Sequence, residues 1–224
     1  MSSDHIHLFG WLKGGMAMGL LGLPEEVYTD LVKHFQSGGI AATLLDKDSP
    51  ETVGGERAVK ISGRNISLVV PKFAMGSVGG GKGFELGPSF GKKETITHPV
   101  VNFHHIVRGK IPTDEKETNA TLVAKKKGLL SKEVVGLEWE GGHLASMLNS
   151  DSELNNVLLR NGVSSLRVEA DCKNGCIRIV HQQKIDLVSE SSGFLVKETK
   201  SRTERLPSLQ VFEAIDRIAG RLKT

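Results

Sequence analysis

The chain has little of what small secreted folds depend on. Only two of its 224 residues are cysteines, Cys172 and Cys176, which excludes a disulfide framework. The first residues include Asp4 and lack the basic start of a secretory signal peptide. The scarcity of cysteine and the missing signal peptide together predict a cytoplasmic protein with reduced thiols.

Aromatic residues and clustered charge are also scarce. Aromatics make up 5% of the chain, and proteins that bind single-stranded nucleic acid need aromatic faces on which bases stack. The 29 basic and 26 acidic residues leave a net charge of +3 and are spread evenly along the chain. The densest basic run, residues 125–127, is short and is typical of a solvated strand end. These features argue against nucleic acid as a partner.

Glycine, by contrast, is concentrated at residues 76–91, where the segment matches two catalytic patterns in part. Its beginning resembles a phosphate-binding P-loop, but Gly83 stands where that loop needs a hydroxyl group to hold Mg²⁺. Its end matches the G-x-S-x-G nucleophile elbow, but a strand pattern follows where a helix is required. We therefore interpret the segment as a surface loop. The alternative is an anion-binding nest of backbone amides built from Gly79, Gly80, Gly81 and Lys82.

Residues 6–23 form an apolar segment that is interrupted by glycines and contains His7 and Lys13. The segment is too short and too polar for a transmembrane helix. Three interpretations stay open: a buried part of the fold, a contact with a membrane surface, or a contact between subunits through its glycines. In the two contact interpretations, the expected interface residues are Phe9, Trp11 and Leu12.

Hydrophobic periodicity predicts three helical regions. The first begins at Pro24, which suits the first helical position, and ends at the glycine pair 38–39. The second covers residues 144–158, where a capping-box pattern indicates two short helices as the alternative to one. The third covers residues 209–222 and has basic residues near its C-terminal end, as the helix dipole favours.

Strand-like patterns fill much of the remaining chain, at residues 40–45, 57–62, 65–70, 95–108, 121–127 and 134–140. Runs of strands with segregated helices are typical of an α+β fold. The sequence thus predicts antiparallel sheet packed with about three amphipathic helices, together with the glycine-rich loop at 76–91. The chain length fits one domain, 1–224, or two packed halves, 1–92 and 93–224.

The dipeptide Asn174-Gly175 is the strongest turn signal, and it favours a two-residue type I′ hairpin turn. Such a turn places Asp171 opposite Arg178, which is a favourable cross-strand charge pair. In the same register Cys172 faces inward and Cys176 faces outward, so no disulfide is expected between them.

The most site-like cluster consists of Glu138, Glu140 and His143. The two carboxylates share one face of a strand, and the histidine begins the following helix. These residue types bind divalent ions or carry out acid–base catalysis. An exposed strand face, with Trp139 turned toward the core, is the alternative interpretation.

Two further groups of histidines are weaker candidates. His5 and His7 have a spacing that puts both imidazoles on one side of a strand, where they would chelate a metal ion; a frayed terminus is the alternative. His104 and His105 are adjacent in an apolar strand, so alternation turns one inward and one outward.

The leading functional hypothesis is a non-catalytic binding module that uses residues 6–23 as its contact surface. The expected partner is a second copy of the chain or another protein, with a membrane surface as a further option. The alternative is a hydrolase, or an anion- or nucleotide-binding enzyme, that uses the glycine-rich segment and the cluster around Glu138. The sequence identifies no cofactor.

Overall fold

A computed structural model describes residues 23–74, 93–109, 118–127, 133–191 and 199–223. In these residues the chain forms four helices, α1 (Glu25–Ser37), α2 (His143–Ser150), α3 (Ser152–Arg160) and α4 (Leu209–Arg221). It also forms eleven strands, β1 (Ala42–Leu45), β2 (Ala58–Ile61), β3 (Leu68–Phe73), β4 (Lys93–Thr97), β5 (Val100–Arg108), β6 (Ala120–Lys127), β7 (Glu133–Gly141), β8 (Ser165–Asp171), β9 (Cys176–Lys184), β10 (Asp186–Ser191) and β11 (Thr199–Glu204).

The strands build two antiparallel sheets, so the predicted α+β class is confirmed. The large sheet has the order β1-β2-β3-β5-β9-β8-β6-β7, and the small sheet has the order β11-β10-β4. The described residues contain four helices rather than about three, because the second predicted region forms two short helices, the alternative that its capping-box pattern indicated; Asp151 ends one and caps the next. Its carboxylate accepts a hydrogen bond from the backbone N–H of Leu154 at 3.0 Å.

One long ladder joins the two sheets and bends between them. In the large sheet Val100 lies opposite Lys184, and in the small sheet Thr97 lies opposite Leu187. From the first pair to the second, the position falls by three residues on one strand and rises by three on the other. The register is therefore unchanged across the break. Pro99 lies at the break, where it has no N–H to offer the ladder, while its carbonyl accepts from Ile185 N–H at 3.1 Å.

The main core lies between one face of the large sheet and the four helices. A row of directly paired side chains crosses five neighbouring strands under the helices: Phe103, His181, Leu166, Leu122 and Trp139. All five are 3% exposed or less, although one of them is polar. Because strand residues alternate between faces, the position of this row also determines which face each of the remaining residues in these strands occupies.

The opposite face, here called the open face, carries a smaller apolar cluster. Residues 46–57, which connect β1 and β2, contribute Val53 to this cluster, and the sheet contributes Leu68, Ile106 and Cys176 among others. The cluster contains no residue of the four described helices. The remainder of the open face is a strand surface with charged side chains, including Arg167, which is exposed.

The turn between β8 and β9 corrects the register predicted from Asn174-Gly175. The last pair is Asp171 with Cys176, so the turn has four residues, 172–175, rather than two. Asn174 stabilises this longer turn, because its backbone N–H and its side-chain amide both donate to the carboxylate of Asp171, at 3.2 and 2.8 Å. A side chain that hydrogen-bonds to the preceding strand end thus overrides the type I′ preference.

The predicted orientation of the two cysteines is therefore wrong. Cys172 is exposed in the turn, and Cys176 is buried in the apolar cluster of the open face; both are thiols. Arg178 lies opposite Glu169 and not opposite Asp171. The predicted attraction is nevertheless formed diagonally, since Arg178 Nε donates to Asp171 Oδ2 at 2.6 Å.

The side chain of Asn149 substitutes for a further strand at the edge of the large sheet. Strand β7 is the edge, and Trp139 in its middle turns its backbone groups away from β6. Asn149 in α2 accepts from Trp139 N–H and donates to Trp139 C=O, both at 2.8 Å. The indole N–H of Trp139 donates to Asn155 in α3 at 2.8 Å. These contacts fix α2 and α3 against the sheet edge.

Replacing Asn149 with alanine should lower the free energy of unfolding by about 2 kcal/mol, because two hydrogen bonds worth about 1 kcal/mol each are lost. Urea denaturation followed by tryptophan fluorescence measures this change. Asn156→Ala is the matched control, since Asn156 is an exposed asparagine in α3 and gains the same helix propensity. Equal unfolding energies for the two variants would contradict the role given to Asn149.

Candidate functional site

The predicted cluster of Glu138, Glu140 and His143 lies where edge strand β7 leads into α2. Gly141 between them adopts a φ of 139°, and a Cβ there would lie 2.3 Å from the carbonyl oxygen of Asn119. Only glycine allows this close approach of β7 to β6, which sets the direction of the following helix. The local chain path is therefore determined by the glycine pair that the sequence shows.

All three side chains of the cluster are exposed. Glu138 and Glu140 share the open face, and Glu138 forms an ion pair with Lys125 Nζ at 2.8 Å. His143 is the first residue of α2. Among the described residues no three histidine, cysteine, aspartate or glutamate side chains are grouped so as to hold a metal ion. A role for the cluster in acid–base chemistry stays a prediction.

The other residues predicted to form sites lie outside the described residues. They are the metal candidates His5 and His7, the contact residues Phe9, Trp11 and Leu12, and the anion-binding candidates Gly79, Gly80, Gly81 and Lys82. The structure therefore leaves these predictions as they stand.

A polar contact that the sequence analysis did not find holds the bend between the two sheets. Asp186 is 7% exposed, and its Oδ1 lies 2.6 Å from His98 Nδ1. Its Oδ2 lies 3.0 Å from Arg205 Nε. Arg205 adopts a left-handed φ of 56°, and its carbonyl accepts from the side-chain amide of Gln183 at 2.7 Å. His98 and Asp186 are 88 positions apart in sequence, so no local pattern indicates the contact.

This contact combines a carboxylate with an imidazole, as in catalytic Asp–His pairs, where the carboxylate orients the ring. At the bend, however, the carboxylate also binds a guanidinium group. The Arg205 side chain is 74% exposed and His98 is 54% exposed. The arrangement fits an ion pair that stabilises the bend, with Asp186 as its buried member.

Among the described residues, three histidines of the central strands have the pKa values that lie furthest from their ordinary value. His105 and His181 face the helices and are 2% exposed, and the ring of His105 lies 6.1 Å from that of Phe212 in α4. Within the described residues neither ring nitrogen of His105 has a hydrogen-bond partner, and the same holds for Nδ1 of His181. His104 faces the other way, as the predicted alternation requires.

Burial keeps these three rings neutral. Burial lowers the pKa of His181 to about 4. It also lowers the pKa of His104 to about 4, with a smaller contribution from the cations Lys72, Arg178 and Arg167. The pKa of His105 is lowered well below its ordinary value by burial and then by its neighbours His181 and His104. Groups perturbed in this way mark functional sites in some proteins, but here His105 and His181 lie within the packed main core and His104 is half-buried on the open face.

Comparisons with known proteins do not identify a relative. No protein-family model, no curated protein and no solved structure matches the chain. None of the described helices has the length and apolar character needed to cross a membrane. The function is therefore argued from the residues of this chain.

The buried histidines predict a loss of stability on acidification. Their folded-state pKa values lie below the unfolded value of about 6.5, so the unfolded chain binds more protons below that pH. The stabilisation is present above pH 6.5 and is lost as the pH falls toward 4. Between pH 7 and pH 5, each ring with a folded-state pKa of about 4 accounts for a loss of about 2 kcal/mol.

Urea denaturation across this pH range tests the loss in the wild type and in two variants. His181→Phe keeps a ring of similar size and should give a shallower dependence of unfolding energy on pH. His143→Gln removes an exposed histidine and should leave the wild-type dependence unchanged. If His181→Phe and the wild type show the same slope, buried His181 is not a source of the loss.

Proposed function

We propose that the protein is a non-catalytic binding module whose partner is a second copy of the same chain. The observation that carries the proposal is a two-stranded arm at the edge of the large sheet. Strand β6 pairs with β8 only over residues 120–123, but it continues its pairing with β7 to the end of both strands. Residues 124–127 and 133–137, here called the hairpin arm, thus extend beyond the sheet as a ribbon of two strands.

A ribbon of two strands gains little stability by itself, and a further packing partner stabilises it. The arm and its base also expose apolar side chains. Val135 is 53% exposed at a β-bulge, where the pairing shifts between Lys125 and Lys126. Val123 is 36% exposed on the open face at the base of the arm. Bulges of this type occur at sheet edges and change the direction in which side chains project.

The charges around the arm favour pairing with an identical surface. Strand β6 carries three exposed lysines, residues 125–127, and β7 carries the exposed carboxylates of Glu138 and Glu140. A two-fold interface brings residue i of one copy onto residue j of the other, and j onto i. Lysines of one copy then face the partner's Glu140, with Val123 near the axis, while Lys125 keeps its ion pair with Glu138 within the same copy. In this arrangement Glu138 and Glu140 form part of the contact surface rather than a catalytic site.

The N-terminal segment 6–23 is the second part of the proposed contact surface. Its last residue, Leu23, packs against the main core immediately before α1, so the segment is attached directly to the folded protein. An apolar segment with glycines at close spacing can pair with its own copy through small-residue faces. A membrane surface is the competing partner for this segment, since Trp and Phe side chains beside a lysine suit an interface with lipid.

Sedimentation equilibrium over a range of concentrations tests the proposal. We expect a dimer whose dissociation constant rises at least tenfold in Val123→Asp, because a charge is placed at the axis. Ile96→Asp is the matched control: Ile96 is 45% exposed on strand β4 of the small sheet, which pairs with neither β6 nor β7, and its replacement should leave dimerisation unchanged. Deletion of residues 1–22, with circular dichroism to confirm folding, shows how much of the dimerisation depends on the N-terminal segment and how much on the hairpin arm.

Liposome flotation of the full-length and shortened proteins tests the competing partner. If the protein is monomeric and floats only when it has its N-terminal segment, the partner is a membrane surface and not a second copy. A monomer that neither dimerises at high concentration nor floats would overturn the proposal that this protein is a self-pairing binding module.

A further inference from the structure

A cleft of about 340 Å³ opens on the open face, at the end of the sheet away from the hairpin arm. Residues 52–54 of the β1–β2 connection form one wall, and Asn174 and Gly175 of the β8–β9 turn form the other. Arg108, at the end of β5, and Cys176, at the start of β9, complete the lining. The volume is at the lower end of the range for small-molecule sites, about 300–1,000 Å³.

The two walls are held in place by contacts within the protein. Val53 packs into the apolar cluster of the open face together with Cys176, which fixes the connection on the sheet. The backbone N–H and the side-chain amide of Asn174 both donate to Asp171, which leaves the side-chain oxygen as an acceptor beside Gly54. A Cβ on Gly54 would lie 3.8 Å from that oxygen, so the walls approach each other closely.

Arg108 differs from the other basic side chains that contact the β1–β2 connection, because they have carboxylate partners there. The ion pairs are Arg57 with Asp46, Lys60 with Glu51, and Lys72 and Arg178 with Glu56. Arg108 instead donates to the backbone carbonyl of Glu51. Among the described residues it forms no ion pair with a carboxylate, so its charge is not neutralised by the cleft.

The floor of the cleft adds no negative charge to oppose that of Arg108. Burial raises the pKa of the Cys176 thiol, against the opposing effect of Arg178 and Arg108. The thiol is therefore neutral at pH 7. Arg178, two residues along the strand, has its charge balanced by Asp171 and Glu56. Among the described residues that line the cleft, Arg108 carries the one charge without a carboxylate partner.

We propose that this cleft binds the carboxylate or phosphate group of a small metabolite, with Arg108 as the anion-binding side chain. A guanidinium group presents paired N–H donors whose geometry matches the oxygens of either group. The side-chain oxygen of Asn174 accepts a hydrogen bond from a hydroxyl or amine elsewhere on the same ligand. This binding is separate from the self-pairing proposed above, which uses the other end of the open face.

Titration of the ¹⁵N-labelled full-length protein with inorganic phosphate, and separately with succinate, tests the site by two-dimensional NMR. We expect saturable shifts at the amides of Gly54, Gly175 and Cys176 for at least one probe. The probe that saturates at lower concentration identifies the anion class. Shifts that grow linearly with both salts, or that are spread over the whole surface, would overturn the proposal.

Three variants assign the binding to Arg108. Arg108→Gln keeps an N–H donor for the Glu51 carbonyl but removes the charge, so binding should weaken at least tenfold while the amide signals of residues 52–54 stay in place. Arg108→Lys restores the charge without the paired donors and should recover part of the affinity. Lys173→Gln removes an exposed cation of the neighbouring turn that does not line the cleft, and should bind as the wild type does. Equal affinity in Arg108→Gln and Lys173→Gln would show that Arg108 does not hold the anion.

Discussion

The ladder between β5 and β9, continued beyond the bend by β4 and β10, positions the rest of the structure. These strands lie at the centre of the large sheet and supply two of the three strands of the small sheet. A shift of one residue in this register would exchange the two faces of every strand involved. The bend itself is held by Asp186, which contacts His98 between β4 and β5 and Arg205 immediately after β11. The register thus determines both the main core and the open face.

The same register explains the polar groups in the core. Alternation along β5 and β9 sends Phe103 and Ile179 toward the helices, and it necessarily sends His105 and His181 the same way. A buried polar atom without a hydrogen bond destabilises the fold by about 1–3 kcal/mol. The surrounding apolar side chains offset this, since Phe212 and Phe103 lie beside the two rings. Neutral imidazoles are tolerated in such surroundings, whereas charged ones would need a partner.

Elements with strong local signals were predictable from the sequence, and contacts between distant residues were not. The first and last helices lie where their apolar periodicity and terminal residues indicate, at 25–37 and 209–221. The strand predicted over 95–108 exists but is divided at Pro99. Strands β10 and β11 have polar sequences such as Thr199–Glu204, which carry no alternation of apolar residues. The β8–β9 register failed because the Asn174 contacts to Asp171 lengthen the turn.

The candidate sites follow the same rule. A strand face and a helix start place Glu138, Glu140 and His143 near one edge, and sequence periodicity is sufficient to predict that proximity. The cleft lining, in contrast, joins residues 52–54, Arg108 and Gly175, which come together only through the register of the central strands and the folding of the β1–β2 connection over them. No spacing in the sequence marks such a group.

The two proposed surfaces occupy opposite ends of the open face for a structural reason. Strands β8 and β9 are joined by a turn at the cleft end, so their other ends lie toward the bend. Strand β6 continues past the first residue of β8 at that second end, and the hairpin arm begins there. Substitutions at the arm and at Arg108 touch no common residue, so their effects should add without coupling. The proposed self-pairing and the proposed anion binding therefore involve separate parts of the chain.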